Sequence, residues 1–443
     1  MSADETVAGP ELGADPVAPG PRPGLLARLT GDRMFRSTLA IMATTVVTSG
    51  LGYVTWLLVA RFSGTQVSGD GAAVTSLMMA AALLAAIGAA TAMIEWLPRA
   101  VDARAWRLRV TAGLVATVGG ALVGGVVAVG VAGYWLGAIP SLTTVTGGVL
   151  FVAGTVATAL GSLFDYICIS RERGGMMLLR NLIASVVRIP LVLVPITVEG
   201  HPLEILLAWT ASAALSLLVC MPLFGGRATG HHLWPTRGGI RSELRLMFRS
   251  VVGQHLITVS AMLTTYLLPV LVVARLDATA NAYFYVTWML GSLFSIVSPA
   301  VSTSLFAAAA ADPAGIPGAV RRSSRIIALL LAGPVLVYLL GGRLLLSMFG
   351  ADYPDAGWTL LVLLTISALP DAVTNIAVAV LRAVGRFGAA IRLNAFMMIG
   401  CLIGSVVLLP VLGIAAVGWS WLGAQTLGAV WALATRSRWM RAA

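Results

Sequence analysis

Apolar runs of about 20 residues alternate with short polar segments along almost the whole chain. A helix of that length crosses the hydrocarbon core of a bilayer, so the pattern predicts a multi-pass, all-α membrane protein. Twelve spans are predicted. The ninth run is short, and only Gly413 and Ile414 separate the last two runs, so eleven or thirteen spans are the alternatives. The predicted spans are 37–60, 72–94, 110–133, 146–169, 182–198, 205–223, 251–274, 283–309, 326–340, 358–381, 395–412 and 415–434.

The same short motifs flank two of the apolar runs. Phe35-Arg36-Ser37 opens the first apolar run, and Phe248-Arg249-Ser250 opens the seventh. The first run closes with an Ala-Arg pair at Arg61, and the seventh closes in the same way at Arg275. Six spans per repeat is an even number, so both halves enter the membrane in the same direction. We therefore predict two parallel six-helix bundles, with a substrate site between them.

Composition and charge agree with a bilayer protein. Hydrophobic residues make up 58% of the chain and charged residues only 11%, with a net charge of +11 carried by arginine and not by lysine. These arginines lie mainly in the short loops, so they indicate topology and no nucleic-acid partner is expected. Only Arg61, Arg275 and Arg343 fall on the opposite side. Because basic loops are retained inside the cell, both termini are predicted to be cytoplasmic.

The spans and loops divide the chain into five parts. The first part lacks the basic start and apolar core of a signal peptide and is rich in Pro, Gly and acidic residues, which favours disorder. The parts are a disordered cytoplasmic tail at 1–33, an amino-terminal bundle at 34–223, a cytoplasmic linker at 224–247, a carboxy-terminal bundle at 248–435 and a cytoplasmic tail at 436–443.

The sequence has no metal, cofactor or enzyme signature. Cys168, Cys220 and Cys401 have no CxxC spacing, and His231 and His232 have no further ligand nearby. No GxSxG, HExxH, GxxxxGK[ST] or DxD pattern occurs either. We expect no metal, no cofactor and no enzymatic activity.

Asp371 is the strongest individual signal, because it lies about 13 residues into the tenth span, roughly 20 Å along the helix and near mid-membrane. Ser367, Thr374, Asn375 and Arg382 share its face. Asp371 and Asn375 are therefore candidates for ion coupling. The competing interpretation is a protonated or Arg-paired carboxyl inside a helix bundle.

Arg188 lies inside the fifth span, where it either snorkels to the interface or binds an anion in a cavity. Arg61 and Arg275 occupy equivalent places at the outer ends of two spans, which suggests a shared vestibule for an anion or simple anchoring. The candidate substrate-binding residues are Arg61, Arg188, Arg275, Ser292 and Ser295.

Two more patterns have a structural and a functional interpretation. Ser292, Ser295, Ser298 and Ser302 form a stripe in the eighth span, and similar stripes of Thr and Gly in other spans either line a cavity or let helices pack closely. Asp165 and Glu95 lie near the cytoplasmic ends of two spans. Both acids are expected to form interfacial ion pairs with arginines.

The order of several short motifs resembles one known family. These motifs are Ala60-Arg61-Phe62, Glu95-Trp96-Leu97-Pro98-Arg99, the run Phe349-Gly350-Ala351-Asp352-Tyr353-Pro354-Asp355-Ala356-Gly357, and Ala383-Val384-Gly385-Arg386. Over most of residues 33–435 the chain resembles the polysaccharide biosynthesis exporters of the MOP flippase superfamily, the Wzx-type proteins. The resemblance implies two six-helix bundles around a V-shaped cavity. It also implies transport of polyprenyl-diphosphate-linked sugars across the bacterial plasma membrane.

The partners implied by this resemblance are the lipid-linked glycan, membrane lipids, a polysaccharide polymerase and glycosyltransferases. The alternative is a MATE-like, cation-coupled antiporter of drugs or other small molecules, which shares the fold but needs acids to hold cationic cargo. A major-facilitator transporter is disfavoured because 95–109 lacks the Gly-x-x-x-Asp-Arg-x-Gly-Arg signature of that class.

Overall fold

The computed structural model describes residues 33–86, 88–196, 202–224, 239–292, 294–312 and 314–437. Within these ranges the regular structure is helical, without a β-strand. Ten of the described helices are long and apolar enough to cross a membrane, judged by length and composition. The all-helical membrane fold predicted from the apolar runs is confirmed.

Helices of the amino-terminal half follow the predicted spans except the second, which is divided into two helices. Asp102 and Thr144 begin two of them by accepting hydrogen bonds from the backbone N–H groups of Ala105 and Gly147, as N-cap residues do. The helices are α1 (Arg33–Phe62), α2 (Gly64–Ala85), α3 (Ala89–Trp96), α4 (Ala103–Val129, continued by a π-helical turn Gly130–Trp135), α5 (Val145–Ser170), α6 (Gly174–Ile196) and α7 (Pro202–Phe224).

The carboxy-terminal half repeats this order. Asp277 caps its second helix by accepting from the N–H of Ala280 at 2.7 Å. Gly413 turns the chain between the last two helices with a φ of 56°. The helices are α8 (Ile240–Arg275), α9 (Ala278–Gly291), α10 (Phe294–Ala311), α11 (Ile316–Ser347), α12 (Tyr353–Ala383), α13 (Phe387–Leu412) and α14 (Ala415–Ala434).

The second span of each half is broken, which the apolar pattern did not reveal. The predicted span 72–94 becomes α2 and α3, separated near Gly88, whose φ of 75° is left-handed and suits glycine. The predicted span 283–309 becomes α9 and α10. The ninth span, predicted at 326–340, is the 32-residue helix α11. Hydropathy measures how apolar a run is, and a short break inside the run leaves that average unchanged.

The predicted domain boundaries fall partly in the described chain. Residues 1–32, 225–238 and 438–443 lie outside it, and these ranges hold nearly all of the predicted amino-terminal tail, much of the linker with His231 and His232, and the end of the carboxy-terminal tail. Helix α8 begins at Ile240, inside the segment predicted as linker. Its Met247 packs in the amino-terminal core with Trp106 and Phe224.

Each bundle has its own buried core. Met78, Phe151 and Ile205 pack in the amino-terminal bundle, and Leu346 and Leu361 pack in the carboxy-terminal one. Burial of such side chains is favourable in water-exposed regions, whereas in lipid the close fit of the helices contributes more. Large apolar side chains also point outwards from both bundles, as expected for a surface in contact with lipid; examples are Val123, Leu218, Leu340 and Val411.

Candidate functional site

A cavity of about 210 Å³ lies within the carboxy-terminal bundle. Helices α8, α9, α12, α13 and α14 contribute to its wall, together with Ser292 and Pro299 from the α9–α10 pair. Asp371 is the carboxylic acid among the lining residues, and the rest of the polar lining is hydroxyl, amide and indole. The polar residues that line the cavity are Ser260, Thr264, Thr265, Trp288, Ser292, Asp371, Thr374, Asn375, Asn394, Trp421 and Gln425.

Asp371 is held by amides and a hydroxyl. Its residue is 7% exposed, and its Oδ1 accepts a hydrogen bond of 3.3 Å from Gln425 Nε2. The Thr374 hydroxyl donates to the side-chain oxygen Oε1 of Gln425 at 3.0 Å, and the Asn375 side chain donates to the Asp371 backbone oxygen at 2.9 Å. None of the ion pairs among the described residues includes Asp371. The carboxyl is therefore buried beside a cavity without a compensating cation, an arrangement that favours proton or cation binding.

Two tryptophans line the cavity together with Asp371. Trp288 and Trp421 meet edge to face with their ring centroids 5.3 Å apart. The indole Nε1 of Trp288 is buried and has no hydrogen-bond partner among the described residues. Both rings also border a small chamber that Gly291 and Ser367 help to line. Asp371 thus lies between the larger cavity and this chamber.

The other bundle has an acid on the corresponding helix, but that acid is paired. Asp165 of α5 accepts two hydrogen bonds from the guanidinium of Arg180, at 2.8 Å and 2.6 Å. Asn181 donates to the same carboxylate at 3.0 Å. Glu95 pairs with Arg99 at 2.9 Å. The ion pairs predicted for Asp165 and Glu95 are confirmed.

Arg188 lies over an aromatic ring of its own bundle. Its guanidinium carbon is 4.4 Å from the centroid of Trp209, and its Nε donates to Ser212 Oγ at 3.3 Å. Neither Nη group donates to a described residue. Tyr285 of α9, in the opposite bundle, lies close enough for an electrostatic interaction with it. Arg188 is therefore fixed near the interface between the bundles, where the sequence allowed either snorkelling or a cavity position.

Arg61 and Arg275 bind backbone carbonyl groups. Arg61 Nε donates to Met348 O at 2.6 Å, at the end of α11 in the other bundle. Arg275 donates to Val406 O through Nε at 3.2 Å and Nη2 at 3.0 Å. Pro410 lacks the N–H that would normally bond to that oxygen in α13. Neither arginine lines the cavity.

The predicted polar stripes divide between two roles. Ser292 lines the cavity, whereas the side chain of Ser295 lies outside the described part of the structure. Ser298 and Ser302 are buried, and the Ser298 hydroxyl lies within side-chain hydrogen-bonding range of the Asp371 carboxyl. In α1, Thr55 donates to the carbonyl of Leu51 in its own helix, as expected for a packing position.

Several residues of the site were not singled out from the sequence. Gln425 and Trp421 lie in α14, more than 40 residues after Asp371 in the chain, and Trp209 is in the helix after Arg188. An amide inside an apolar span was an available signal for Gln425. The tryptophans gave none, because indole rings are common in membrane helices whatever their role.

Comparisons with known proteins identify the fold. The sequence matches no protein-family model and no curated protein. The structure is similar to the lipid II flippase MurJ in an inward closed conformation, with a TM-score of 0.70 and 11% identity over 90% of this chain and 87% of that chain. It is also similar to an inward-facing multidrug resistance MATE family transporter of the MOP superfamily, with a TM-score of 0.68 and 15% identity over 89% and 94%.

An outward-facing MATE transporter of the same superfamily matches less closely. Its TM-score is 0.59, with 16% identity over 94% of this chain and 97% of that chain. The chain therefore has the fold of the MATE and MurJ transporters. The higher scores belong to conformations that are described as inward.

Proposed function

We propose that this membrane protein moves a polyprenyl-diphosphate-linked oligosaccharide across the bacterial plasma membrane by alternating access, with both termini in the cytoplasm. The fold it shares with a lipid flippase supports transport of an amphipathic substrate. The arginines of the short loops support the orientation. In this proposal the glycan comes from glycosyltransferases and is used by a polysaccharide polymerase.

The position of Arg188 is the main support for an anionic substrate. A guanidinium group can bind two phosphate oxygens at once through parallel N–H groups. The Nε of Arg188 is bonded to Ser212, and its guanidinium carbon lies over the Trp209 ring, so the side chain is held in place before a ligand arrives. Its Nη groups remain available for the diphosphate. Arg61 and Arg275 would then support the scaffold near the outer ends of the bundles.

Asp371 is proposed as the coupling group. A buried carboxyl without a cationic partner binds a proton or a small cation more readily than one in an ion pair. Asn375 and Gln425 hold the acid in place, and Ser292 offers a hydroxyl on the same cavity wall. Binding at Asp371 would alter the packing of α12 against α14 and bias the equilibrium between the two transport states.

A cation-coupled antiporter of drugs or other small molecules is the second candidate. The cavity combines the Asp371 carboxyl with the rings of Trp288 and Trp421. Aromatic faces and a carboxylate together suit an organic cation. In this alternative the cargo itself occupies the cavity in the carboxy-terminal bundle.

The test is translocation of a fluorescent polyprenyl-diphosphate oligosaccharide in proteoliposomes. The intact protein is compared with Asp371→Asn, with and without a proton gradient. The amide keeps the shape of the side chain and removes its charge, so folding should be retained. Gradient-driven transport by the intact protein that is lost in the variant is the expected result.

Other outcomes separate the two candidates. Movement of cationic dyes without movement of the glycan would favour the antiporter function instead. Full glycan transport by Asp371→Asn would remove Asp371 from the mechanism and leave the substrate assignment in place.

A further inference from the structure

The two bundles meet most closely where α2 and α9 begin. Both are the second helices of their repeats, and both begin at the end of the molecule opposite the arginine-rich loops. A methyl group built on Gly69 would lie 1.7 Å from the carbonyl oxygen of Ala278 and 3.0 Å from the backbone nitrogen of Ala282. The helices are therefore in backbone contact, which only glycine permits at this position.

A buried hydrogen bond links the same two helices. Asn281 Nδ2 donates to Gly69 O at 2.7 Å, and the Asn281 residue is fully buried. Its Oδ1 is buried as well, without a partner among the described residues. Leaving a buried acceptor unpaired is unfavourable. If α2 and α9 separated, water could bind this amide oxygen. The unpaired oxygen therefore lowers the stability of the closed contact relative to an open one.

We infer that Gly69 and Asn281 form the seal that closes the outer mouth of the cleft between the bundles, and that this seal opens once in each cycle. The inference rests on the proposed alternating-access function. Gly69 and Asn281 act here as positioning residues that set which side of the membrane the cleft faces, and they do not contact the substrate.

Other contacts around the seal also join the two bundles. Arg61 of α1 donates to the carbonyl of Met348 at the end of α11. Tyr53 meets Phe349 edge to face, with ring centroids 5.3 Å apart. Between these contacts and Arg188, Trp56 packs on Tyr285 at 4.5 Å between centroids. Opening the outer mouth requires all of these contacts to separate, and the backbone contact at Gly69 tolerates the least adjustment.

The test uses a cysteine beside the seal as a reporter. Ser68 is 3% exposed in the closed state. Because its hydroxyl also interacts with Tyr353 of the opposite bundle, the labelling rate of Ser68→Cys alone is the baseline for the other variants. The native cysteines at 168, 220 and 401 are buried. A membrane-impermeant maleimide is added on the side opposite the arginine-rich loops of the protein in vesicles, and the labelling rate is measured. The reporter is then combined with Gly69→Ala or with Asn281→Ala.

Both combinations should raise the labelling rate. Gly69→Ala places a methyl group on the Ala278 carbonyl, so the closed state is excluded. Asn281→Ala removes one buried hydrogen bond without a clash, and an increase of about five- to tenfold is expected. If Gly69→Ala does not fold, the labelling rate of the Asn281→Ala variant still tests the inference.

Gly71→Ala is the matched control. It is also a buried glycine of α2, but its added methyl would meet Ile205 of the same bundle, 2.3 Å from Cδ1. It should disturb packing within the bundle without opening the seal. Equal labelling in all three variants, or no increase with Gly69→Ala and Asn281→Ala, would overturn the inference. Labelling needs no substrate, so this outcome is independent of whether the intact protein moves the glycan.

Discussion

Arg180 and Asp165 form a bidentate ion pair inside the amino-terminal bundle, with Nε–Oδ1 and Nη2–Oδ2 distances of 2.8 Å and 2.6 Å. Asp371, on the corresponding helix of the other bundle, is bonded to an amide at 3.3 Å instead. The repeats thus have acids in comparable helices and different partners for them. The acid proposed for ion coupling is therefore the one without an ion-pair partner among the described residues, in the carboxy-terminal bundle.

Replacing Arg180 by Met should destabilise the protein strongly. The Asp165 side chain is 13% exposed and would remain buried without its cation. Breaking a buried pair in this way costs about 3–5 kcal/mol. Thermal unfolding in detergent, followed by size-exclusion chromatography, measures the loss.

The double variant Asp165→Leu with Arg180→Met is the control for that prediction. It removes both charges, so much of the lost stability should return. An equally unstable double variant would show that packing of Arg180 against Gly161, and not its charge, supports the bundle.

Replacing Gln425 by Leu should impair coupling more than folding. The substitution removes the amide that donates to Asp371 and accepts from Thr374. We expect transport to fall several-fold and its dependence on the proton gradient to change, because the carboxyl loses a hydrogen bond that favours its charged form. Proteoliposome transport at two gradient strengths measures both effects.

Gln66→Leu is the comparison for Gln425→Leu, because Gln66 is an exposed glutamine of α2. It should leave transport nearly unchanged. A Gln425 variant with normal transport and normal gradient dependence would contradict the role given to the Asp371 environment.

Arg188→Ala should weaken substrate binding while the fold persists. Charge-assisted hydrogen bonds contribute about 1.5–3 kcal/mol each, so the KM for a diphosphate-linked substrate should rise roughly ten- to hundredfold. Arg188→Lys should recover part of this, because lysine supplies the charge without the planar pair of donors. Initial transport rates over a range of substrate concentrations provide the values.

Arg343→Ala is the control for Arg188→Ala, because Arg343 is an exposed arginine that pairs with Asp355. It should leave the KM for the diphosphate-linked substrate unchanged. An unaltered KM in the Arg188→Ala variant would place Arg188 in the scaffold, where its stacking on Trp209 stabilises the bundle.

Arg275 and Pro410 should be coupled energetically. Arg275 donates to the Val406 carbonyl, which Pro410 leaves without its usual helical donor. Arg275→Ala should therefore destabilise the protein by about 1 kcal/mol, a small value because the arginine is exposed. In a Pro410→Ala background the backbone N–H would satisfy Val406 O, and Arg275→Ala should then have almost no effect.

A double-mutant cycle in thermal or denaturant unfolding measures this coupling. The same loss in both backgrounds would mean that Arg275 stabilises the helix end through its charge alone. Arg343→Ala is a suitable reference, because this exposed arginine pairs with Asp355 at 3.4 Å and contacts no proline-freed carbonyl.

The architecture was largely predictable from the chain. The repeated openings before Arg61 and Arg275, the apolar runs and the arginine-rich loops predicted two bundles in the same order that the helices show. The depth of Asp371 in its span predicted a buried acid, and the ion pairs of Asp165 and Glu95 were anticipated. These features depend on local composition and spacing, which sequence records directly.

The tertiary structure decided which polar groups bond to each other and where the second span of each half is interrupted. Arg61 reaches Met348, Asn281 reaches Gly69 and Gln425 reaches Asp371, and each pair brings together distant parts of the chain. Hydropathy cannot select these pairs, because the lipid and the protein interior are both apolar and leave the same pattern on a helix. Sequence therefore determined which segments enter the membrane, and only packing of one helix against another determined which polar groups meet there.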